Sequence, residues 1–387
     1  MSLIVQKYGG TSVGTIERIK LVAKNIAKFY HQRHQLVIVV SAMSGETNRL
    51  INLALEISDN PAKRELDVIA TTGEQVTIAL LTMALQEQKI PSISYCGWQV
   101  PITTTNDFTQ ARIKTIDTTK ITQNLNDGFV VVVAGFQGIA TNHQITTLGR
   151  GGSDTSAVAL AVALNAEECD IYTDVNGVFN ADPNKVTEAR RITQIDGLSM
   201  LETTSLGAKV LHVRSCELAY RYKTNVRVLS TFAPQDQGTI VMNKDDLESY
   251  PIISLTIQEE QVLVNFEYEN EVYKILDKVY DICSTDMLQI SNKQVNFVIE
   301  KSDLINLEPM LKTIKTIKNL LITSDLVKLS LIGSGFRSNR HLNQKVWQLM
   351  KGTEVFLTSH NEISLSMLVH AWDANTTKVK LSKLLKD

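Results

Sequence analysis

The sequence predicts an α/β protein in which a mainly parallel sheet lies between layers of helices, followed by two smaller α+β domains. Three observations lead to this prediction. Apolar segments alternate with amphipathic ones over the first ~250 residues, as the strands and helices of βαβ units do. Some apolar segments are continuous, such as Val130–Val133, which is typical of parallel strands buried on both faces. Beyond Tyr250-Pro251, a β-α-β-β-α pattern occurs twice with a period of about 65 residues.

The first region consists of strands and helices in alternation. The predicted strands are Leu3–Val5, Leu36–Val40, Ser92–Tyr95, Val130–Ala134, Asp170–Thr173 and Val226–Leu229. The predicted helices are Ile16–Tyr30, Asn48–Ile57, Lys63–Gln86 with a break near Thr71–Gly73, Ser153–Leu164 and Lys209–Tyr222. This order places helices on both faces of the sheet. Ligands of such sheets bind outside the carboxyl ends of the strands, so we expect the functional loops there.

The second region contains the repeated unit. The first copy comprises strand Val262–Phe266, helix Glu271–Ile282, strands Met287–Ser291 and Val295–Ile299, and helix Leu304–Ile317. The second comprises strand Val327–Ile332, helix Leu342–Met350, strands Glu354–Thr358 and Ile363–Val369, and helix Thr376–Leu385. Neither copy contains an obvious nucleophile or metal cluster, so we expect a binding or dimerising module. The predicted domains are 1–248, 249–325 and 326–387, with residues 252–258 as a candidate extra strand for the last.

Composition and charge exclude several classes of function. The 387 residues are 43% hydrophobic and 21% charged, with a formal net charge of −2. This balance predicts a globular protein without broad electrostatic affinity for nucleic acid or membrane surfaces. No apolar run reaches the length of a membrane span, and no signal peptide is apparent. The four cysteines are far apart, which argues against a disulfide or zinc framework and favours a cytoplasmic location.

Three unusual loops occur where predicted strands end or helices begin. The loops are Lys7–Ser12 (KYGGTS), Ser41–Thr47 (SAMSGET) and Thr147–Thr155 (TLGRGGSDT). Glycines in such loops let backbone N–H groups surround an anion, and a helix that begins there points its positive end at it. Arg150 adds a fork suited to a carboxylate or a phosphate. Each loop alone is also consistent with a turn and a helix cap, but three at one sheet edge favour a ligand site.

A fourth stretch, Ile171–Pro183, combines a strand end with turns at Asn176-Gly177 and Asp182-Pro183. It is typical either of a hairpin arm over a nucleotide or of a plain hairpin. No Walker A pattern occurs in the sequence, and Gly333-Ser334-Gly335 lacks the third glycine of a dinucleotide-binding loop. If a nucleotide binds, it is therefore held by a different kind of loop.

Six motifs in a fixed order show which family the chain resembles. They read KYGGTSVG, SAMSGETN, TTGEQV, AGFQG, LGRGGSDTSAVALA and IYTDVNGVFNADP. Together they resemble aspartate kinases of the amino-acid kinase superfamily, from residue 2 to about residue 240. The resemblance implies the three-layer amino-acid kinase sandwich, followed by two βαββα ACT-like domains. In that family the ACT domains bind amino-acid effectors and form dimers, so a homodimer is expected.

The resemblance also implies an activity: transfer of the γ-phosphoryl group of ATP, with Mg²⁺, to the β-carboxylate of L-aspartate. Lys7 and Asp154 would be the catalytic residues, with Lys7 stabilising charge in the transition state. No dedicated metal cage is expected. The substrate-binding residues would be Ser41, Thr47, Glu74, Arg150, Gly151, Gly152 and Ser153. The nucleotide-binding residues would be Lys7, Tyr8, Gly9, Gly10, Thr173, Asp174, Gly177, Val178, Phe179, Asp182 and Lys209.

Ordinary alternatives remain for three of these residues. Glu74 is also consistent with a carboxylate at a helix start, Ser41 with a turn hydroxyl, and Lys209 with a solvated lysine on an amphipathic helix. Two other functions stay open as well. One is a kinase for another amino-acid carboxylate such as glutamate, and the other is a non-catalytic regulator that binds amino acids.

The repeats depart from the family pattern at the expected effector site. ACT domains of the family usually carry a Pro-Gly turn after their first strand. The first copy here reads FEYENE over residues 266–271, and the second has Arg340-His341 at that place. Asp286-Met287 does resemble the effector-side strand. We therefore expect weak or absent feedback inhibition by lysine or threonine, in a monofunctional enzyme at the first step toward lysine, threonine and methionine.

Overall fold

The computed structural model describes residues 2–233, 235–242, 252–333, 336 and 339–386. The predicted boundary at 248/249, the Tyr250-Pro251 step, and Ser334 and Gly335 of the Gly-Ser-Gly string lie outside these residues. The chain forms two compact units. The first comprises Met1–Val178, Arg191–Thr204 and Lys209–Asp245, and the second comprises Phe179–Arg190, Ser205–Ala208 and Asp246–Asp387.

Up to residue 242, every predicted strand and helix is present, together with short strands and two helices, Thr119–Asn126 and Gly197–Ser205, that were not predicted. The strands are β1 Leu3–Tyr8, β2 Gln35–Val40, β3 Ser92–Tyr95, β4 Ile102–Thr104, β5 Ile113–Ile116, β6 Val130–Ala134, β7 Gln137–Ala140, β8 Ile145–Thr147, β9 Glu168–Thr173, β10 Gln194–Asp196, β11 Val226–Ser230 and β12 Thr239–Met242. The helices are α1 Ile16–His31, α2 Glu46–Ile57, α3 Lys63–Ala70, α4 Thr72–Glu87, α5 Thr119–Asn126, α6 Gly152–Ala163, α7 Gly197–Ser205 and α8 Val213–Tyr222.

The central sheet has the strand order β10-β12-β11-β9-β1-β2-β6-β3. The strands from β11 to β3 in this order are mutually parallel, and β12 is antiparallel to β11. This confirms the predicted α/β class with a mainly parallel sheet. The second sheet, β5-β4-β7-β8, was not predicted, because its strands are three or four residues long and rich in threonine.

The core of the first unit explains why these segments form strands and helices. Val37–Val40 of β2 and Val131–Ala134 of β6 are fully buried, as strands covered on both faces must be. Helix α1 contributes Ile19, Val22 and Ile26 to the core at helical spacing. The predicted break in the third helix falls at Thr71, between α3 and α4. The predicted helix at Lys209 begins only at Val213, so Lys209 precedes α8.

One stretch of the described chain, Lys63–Glu87, is long and apolar enough by composition to cross a membrane. Half of its most apolar window is buried inside the protein. The stretch consists of α3 and α4, and its Asp67 and Glu74 are 1% and 2% exposed. Core helices pass the same compositional test, so the stretch is weak evidence of a membrane span.

The second unit contains β13 Ser254–Tyr268, α9 Val272–Tyr280, β14 Asp286–Ser291, β15 Gln294–Glu300, α10 Leu304–Thr313, β16 Ile317–Ile332, α11 Arg340–Leu349, β17 Val355–His360, β18 Ser364–His370 and α12 Ala371–Ser382. Its six strands form one sheet in the order β14-β15-β13-β16-β18-β17. Both copies of the predicted repeat are present, but they are halves of a single sheet.

Two long strands join these halves. Ser254–Gln258 of β13 pairs with Lys328–Ile332 of β16 in one half, and Gln261–Tyr268 pairs with Ile317–Leu326 in the other. The register shifts between Gln258 and Gln261, where Glu260 has a φ of +55°, as at a β-bulge. The sequence patterns predicted only the apolar ends of these strands. The predicted boundary at 325/326 lies inside β16.

The buried face of α4 gives a direct test of this core. Leu81 is fully buried, whereas Met83 on the same helix is 62% exposed. We expect Leu81→Ala to lower the free energy of unfolding of the first unit by about 3 kcal/mol, because it leaves a cavity. The matched change Met83→Ala should cost less than about 0.5 kcal/mol.

The chain has three tryptophans, of which only Trp98 lies in the first unit, packed against this core. Urea unfolding should therefore be followed by Trp98 fluorescence in a Trp347→Phe/Trp372→Phe background. Equal losses of stability for the two alanine variants would contradict the assignment of Leu81 to the core.

Candidate active site

The carboxyl ends of the parallel strands meet at one edge of the central sheet. Backbone hydrogen bonds continue past the strands and hold the loops together there. The amide of Ser41 donates to the carbonyl of Tyr8 at 3.1 Å, and that of Gly135 to Val40 at 3.0 Å. The amide of Gly9 donates to Tyr172 at 3.3 Å. The loops after β1, β2, β6 and β9 therefore start side by side.

An ion pair lies at this edge. Nζ of Lys7, near the end of β1, is 2.6 Å from Oδ1 of Asp154, and the two side chains are 11% and 12% exposed. Asp154 belongs to the first turn of α6, where the helix dipole stabilises a carboxylate. The carboxylate thus fixes the position of the ammonium group. The space between Gly9 and the Lys7 side chain is small, because a Cβ at position 9 would lie only 3.4 Å from Nζ of Lys7.

Two glycines are required by the close approach of the loops. A Cβ on Gly10 would lie 2.9 Å from the carbonyl oxygen of Ala42, in the loop after β2. Gly151, which precedes α6, has a φ of +69°, and a Cβ there would lie 2.2 Å from Cγ of His212. Only glycine satisfies both the backbone conformation and the contact at Gly151. The two glycines consequently allow neighbouring segments to pack closely at the sheet edge.

The start of α6 is locked to the loop after β6. The Oγ of Ser156 accepts a hydrogen bond from the amide of Phe136 at 3.0 Å and donates one to the carbonyl of Gly152 at 3.0 Å. A Cβ on Gly135 would collide with Ser153, and one on Gly152 with Phe136. The AGFQG motif therefore has a packing role: it brings the N-terminus of α6 against the sheet edge.

Glu74, in the first turn of α4, is a buried carboxylate that is only partly satisfied. It is 2% exposed, and its Oε1 accepts a hydrogen bond from the amide of Ala42 at 3.0 Å. Its Oε2 has no hydrogen-bond partner among the described residues. Burial raises the pKa of Glu74 to about 7, although the bond from Ala42 opposes the rise. A cationic group of a ligand would satisfy Oε2.

The other predicted substrate residues lie in loops at the same edge. Arg150 is exposed and makes no side-chain hydrogen bond or ion pair within the described part of the chain. Ser41 directly follows β2, and Thr47 is the second residue of α2, and both are partly exposed. Arg150, Ser41 and Thr47 are therefore available to a ligand.

The predicted nucleotide residues beyond the first loop lie at different places in the fold. Thr173 is the last residue of β9, and Asp174 comes directly after it. The hydroxyl of Thr173 donates a hydrogen bond to Oδ1 of Asp174 at 3.1 Å. Lys209 is exposed ahead of α8. Phe179 and Asp182 fall in the second compact unit.

Tyr8, Gly177 and Val178 have structural roles that the sequence did not reveal. Tyr8 is fully buried, stacks on Tyr172 with the ring centroids 4.6 Å apart, and bonds to Gln6. Val178 is 1% exposed, and its amide donates to Thr239 Oγ1 at 2.8 Å. Gly177, with a φ of +122°, leaves no room for a Cβ beside that hydroxyl. The side chains of Tyr8 and Val178 lie in the core, so the predicted contact of these two residues with a nucleotide would have to be made by their backbone.

The structure adds one site residue that the sequence did not indicate. The ring of His212, just before α8, lies against Gly151, and its Nδ1 has no hydrogen-bond partner among the described residues. Burial lowers the pKa of His212, the charges of Arg214 and Arg150 act in the same direction, and Asp154 opposes them. A single histidine ahead of an ordinary helix carries no sequence pattern, so only the fold reveals it.

No group of three or more His, Cys, Asp or Glu side chains suited to bind a metal occurs within the described ranges. The described carboxylates at the sheet edge include Asp154, which is paired with Lys7, the exposed Asp174, and the buried Glu74. Mg²⁺ that arrives with a nucleotide keeps several waters and needs only one or two protein carboxylates. The edge fits a nucleotide-bound Mg²⁺ on these grounds.

Comparisons with known proteins show the family to which the chain belongs. Residues 2–230 match the family model for the amino acid kinase family. The chain is 43% identical to an aspartokinase of Pseudomonas aeruginosa over 95% of its own length and 94% of that protein. It is 42% identical to an aspartokinase of Geobacillus stearothermophilus over 95% and 93%. The chain belongs to the aspartokinases of the amino acid kinase family.

Solved structures of aspartokinases share the fold. Aspartokinase III of E. coli in complex with aspartate and ADP has a TM-score of 0.84 at 24% identity, with all of both chains covered. An aspartate kinase from Synechocystis is 34% identical, with a TM-score of 0.58, and the match covers all of this chain and 69% of that one. The family predicted from the six motifs is thereby confirmed.

The raised pKa of Glu74 predicts a dependence of stability on pH. The folded value of about 7 exceeds the ordinary value of 4.5, so the folded protein binds this proton more tightly than the unfolded chain. That stabilisation is complete below pH 4.5 and is lost as the pH rises through 7. Glu74→Gln mimics the neutral acid and should therefore be more stable than wild type, by about 2 kcal/mol more at pH 8 than at pH 5.

The free energy of unfolding of the ligand-free protein should be measured by urea denaturation at both pH values, with Trp98 as reporter. Glu87→Gln, at the exposed far end of α4, is the matched control and should show no comparable change between them. A pH-independent difference between Glu74→Gln and wild type would show that burial does not raise the pKa of Glu74.

Proposed function

We propose that the protein is an ATP-dependent aspartate kinase that phosphorylates the β-carboxylate of L-aspartate to give 4-phospho-L-aspartate. The Lys7–Asp154 ion pair, held between two glycine-rich loops at the sheet edge, is the observation that carries this proposal. The aspartokinase relatives, at 43% and 42% identity over nearly the whole chain, support it. Cytoplasmic location, where ATP and aspartate are present, is part of the proposal.

In the proposed reaction, a β-carboxylate oxygen of aspartate attacks the γ-phosphorus of ATP. The bond from that phosphorus to the bridging oxygen breaks, and ADP leaves with the electron pair. The transition state spreads negative charge over the transferred oxygens, so positioning and charge stabilisation supply most of the catalysis. Lys7 would stabilise that charge, and Asp154 would hold Lys7. The amide of Gly10 would bond to a phosphate oxygen, whereas the amide of Gly9 already donates to the carbonyl of Tyr172.

The acceptor would be held at its charged groups. Oε2 of Glu74, which lacks a partner in the described structure, would accept from the α-ammonium. Arg150 would bind the α-carboxylate as a bidentate donor. Ser41 and Thr47 would bond near the β-carboxylate, and the backbone of Gly151–Ser153 would complete the anion site at the N-terminus of α6.

The nucleotide would bind beyond the end of β9. Thr173, Asp174, Gly177 and Lys209, all in the first unit, are the proposed contacts. Gly177 would contribute through its backbone. Mg²⁺ bound to the phosphates would neutralise charge on the leaving group. Asp154 and Asp174 are the carboxylates that would bind it through water or directly.

We also propose that feedback regulation is weak and that the second unit serves mainly to form a homodimer. Asp286, at the expected effector strand, has both carboxylate oxygens occupied. Oδ1 accepts from the amide of Met287 at 2.7 Å, and Oδ2 pairs with Nζ of Lys328, whose side chain is 1% exposed. An effector ammonium would compete with Lys328 for this carboxylate, and full displacement of Lys328 would leave a buried charge unpaired. The reaction would start the route to lysine, threonine and methionine.

Purified protein with Mg-ATP should release ADP when aspartate is added, and hydroxylamine should trap the acyl phosphate. Little release is expected with glutamate or without an acceptor. Lys7→Ala should reduce turnover by about 100-fold or more, because it removes a charge that acts in the transition state. Lys24→Ala, an exposed lysine of α1, is the matched control and should keep full activity.

Each other outcome of this assay rejects the proposal in a recognisable way. Turnover with glutamate but not with aspartate would show that the protein is a kinase for a different amino-acid carboxylate. Binding of ATP without turnover on any acceptor would favour the non-catalytic regulator.

Titration of the same activity with lysine, threonine and an equimolar mixture tests the proposed weak regulation. Less than twofold inhibition is expected up to about 1 mM, since Lys328 already occupies the carboxylate that an ammonium group needs. Half-inhibition below 1 mM by any of the three would contradict the proposal.

A further inference from the structure

Asp67 is a buried carboxylate that the proposed reaction does not use. It lies on α3 and is 1% exposed. Its two oxygens accept from the amide of Thr109 at 2.9 and 3.1 Å, from the amide of Thr147 at 3.0 Å, and from the hydroxyl of Thr147 at 2.7 Å. No cationic side chain pairs with it among the described residues. A buried carboxylate with donors on both oxygens holds those donors in fixed positions.

The two segments that Asp67 joins are themselves bound to each other. The amide of Ala111 donates to the carbonyl of Thr147 at 2.9 Å. Thr109 has a φ of +70°, and a Cβ on Gly149 would lie 2.9 Å from its carbonyl oxygen. From α8, the guanidinium of Arg214 donates to the carbonyls of Leu148 and Ala111. The chain between β8 and α6 is therefore fixed up to Gly149, directly before Arg150.

The same α3–α4 segment carries Glu74. Helix α3 ends at Ala70 and α4 begins at Thr72, and the carbonyl of Thr71 between them accepts from Nε2 of Gln137 at 3.2 Å. At one end, this segment presents Glu74 to the sheet edge. At the other end, Asp67 binds the strand that leads into the Arg150 loop. The segment thus connects the two groups proposed to bind the ammonium and the α-carboxylate of the acceptor.

We propose that Asp67 is a positioning residue that fixes Glu74 and the Arg150 loop at a set distance from Lys7, and that it thereby selects amino-acid acceptors by the length of their side chain. This inference rests on the proposed function. Glutamate is one methylene longer than aspartate. With its ammonium and α-carboxylate held, its side-chain carboxylate would lie too far toward Lys7 and the phosphate. A difference of one methylene supports discrimination of about 10- to 200-fold in a well-positioned site.

Asp67→Asn tests the proposal, because it keeps the size of the side chain and replaces one acceptor with an NH₂ group that faces N–H and O–H donors. The KM for aspartate should rise about tenfold or more, since small displacements of a binding group cost that much. The KM for ATP should stay within about twofold. The ratio of kcat/KM for aspartate over that for glutamate should fall about tenfold.

Two sets of variants separate positioning from general damage. Asp117→Asn alters an exposed carboxylate that bonds to the amide and hydroxyl of Thr119 at the start of α5, and it should change none of these values. Thr147→Val removes only the hydroxyl that donates to Asp67, and Thr147→Ser restores it. If Asp67→Asn does not fold, the two Thr147 variants test the proposal instead. Thr147→Val should raise the KM for aspartate, and Thr147→Ser should have the wild-type KM.

The proposal is overturned if the two KM values rise together, if only kcat falls, or if the preference for aspartate over glutamate is unchanged. Failure of the proposed function would look different. In that case the wild-type protein itself would show no aspartate-dependent release of ADP in the same assay.

Discussion

The pairing of Lys7 with Asp154 is the constraint around which the first unit is arranged. Two nearly buried charges are stable only when they are close and well oriented, because each loses most of its hydration. The lysine comes from the end of a strand and the aspartate from the first turn of a helix, so a strand end and a helix start must touch. A parallel sheet with helices on its faces provides that meeting point, and its apolar strands supply the stability that the ion pair does not.

Close contact of backbones follows from the same constraint. The loop after β1 approaches the loop after β2 at Gly10, and the loop after β6 approaches the start of α6 at Gly135 and Gly152, too closely in each case for an added methyl group. Next to Lys7, Gly9 and Gly10 consequently leave the backbone without a side chain of its own to cover it. Such a surface suits an anion whose charge is spread over several oxygens, because many weak donors can follow it as the charge moves.

The sequence predicted the part of the fold that depends on long apolar segments. The sequence predicted the long parallel strands and the helices between them, because buried strands are rich in consecutive apolar residues. These strands are β1, β2, β6, β9 and β11. The sheet β5-β4-β7-β8 was not predicted, since three-residue strands rich in threonine resemble loops. The first half of β16 was also missed, because IKNLLITSD mixes polar and apolar residues on a strand that is largely exposed there.

The residues of the candidate site can likewise be separated into those that the sequence predicted and those that it did not. Lys7, Glu74, Arg150 and Asp154 lie in motifs whose glycines and charges are unusual in sequence, and the fold brings their loops to one edge. His212 and Asp67 could not be predicted, because their roles depend on contacts with residues that are distant in sequence. Tyr8 and Val178 were assigned to the ligand from their neighbours along the chain, whereas burial places their side chains in the core.

The long strands of the second unit make its two repeats inseparable. Because β13 and β16 each pass through both halves of the sheet, neither half has a complete set of strands of its own. Deletion of the second repeat would leave the start of β13 as an exposed, unpaired edge that invites aggregation. The duplicated pattern in the sequence therefore does not mark two exchangeable modules. Evolution or engineering could gain or lose this unit only as a whole, and a disturbance in one repeat reaches the other through a continuous backbone.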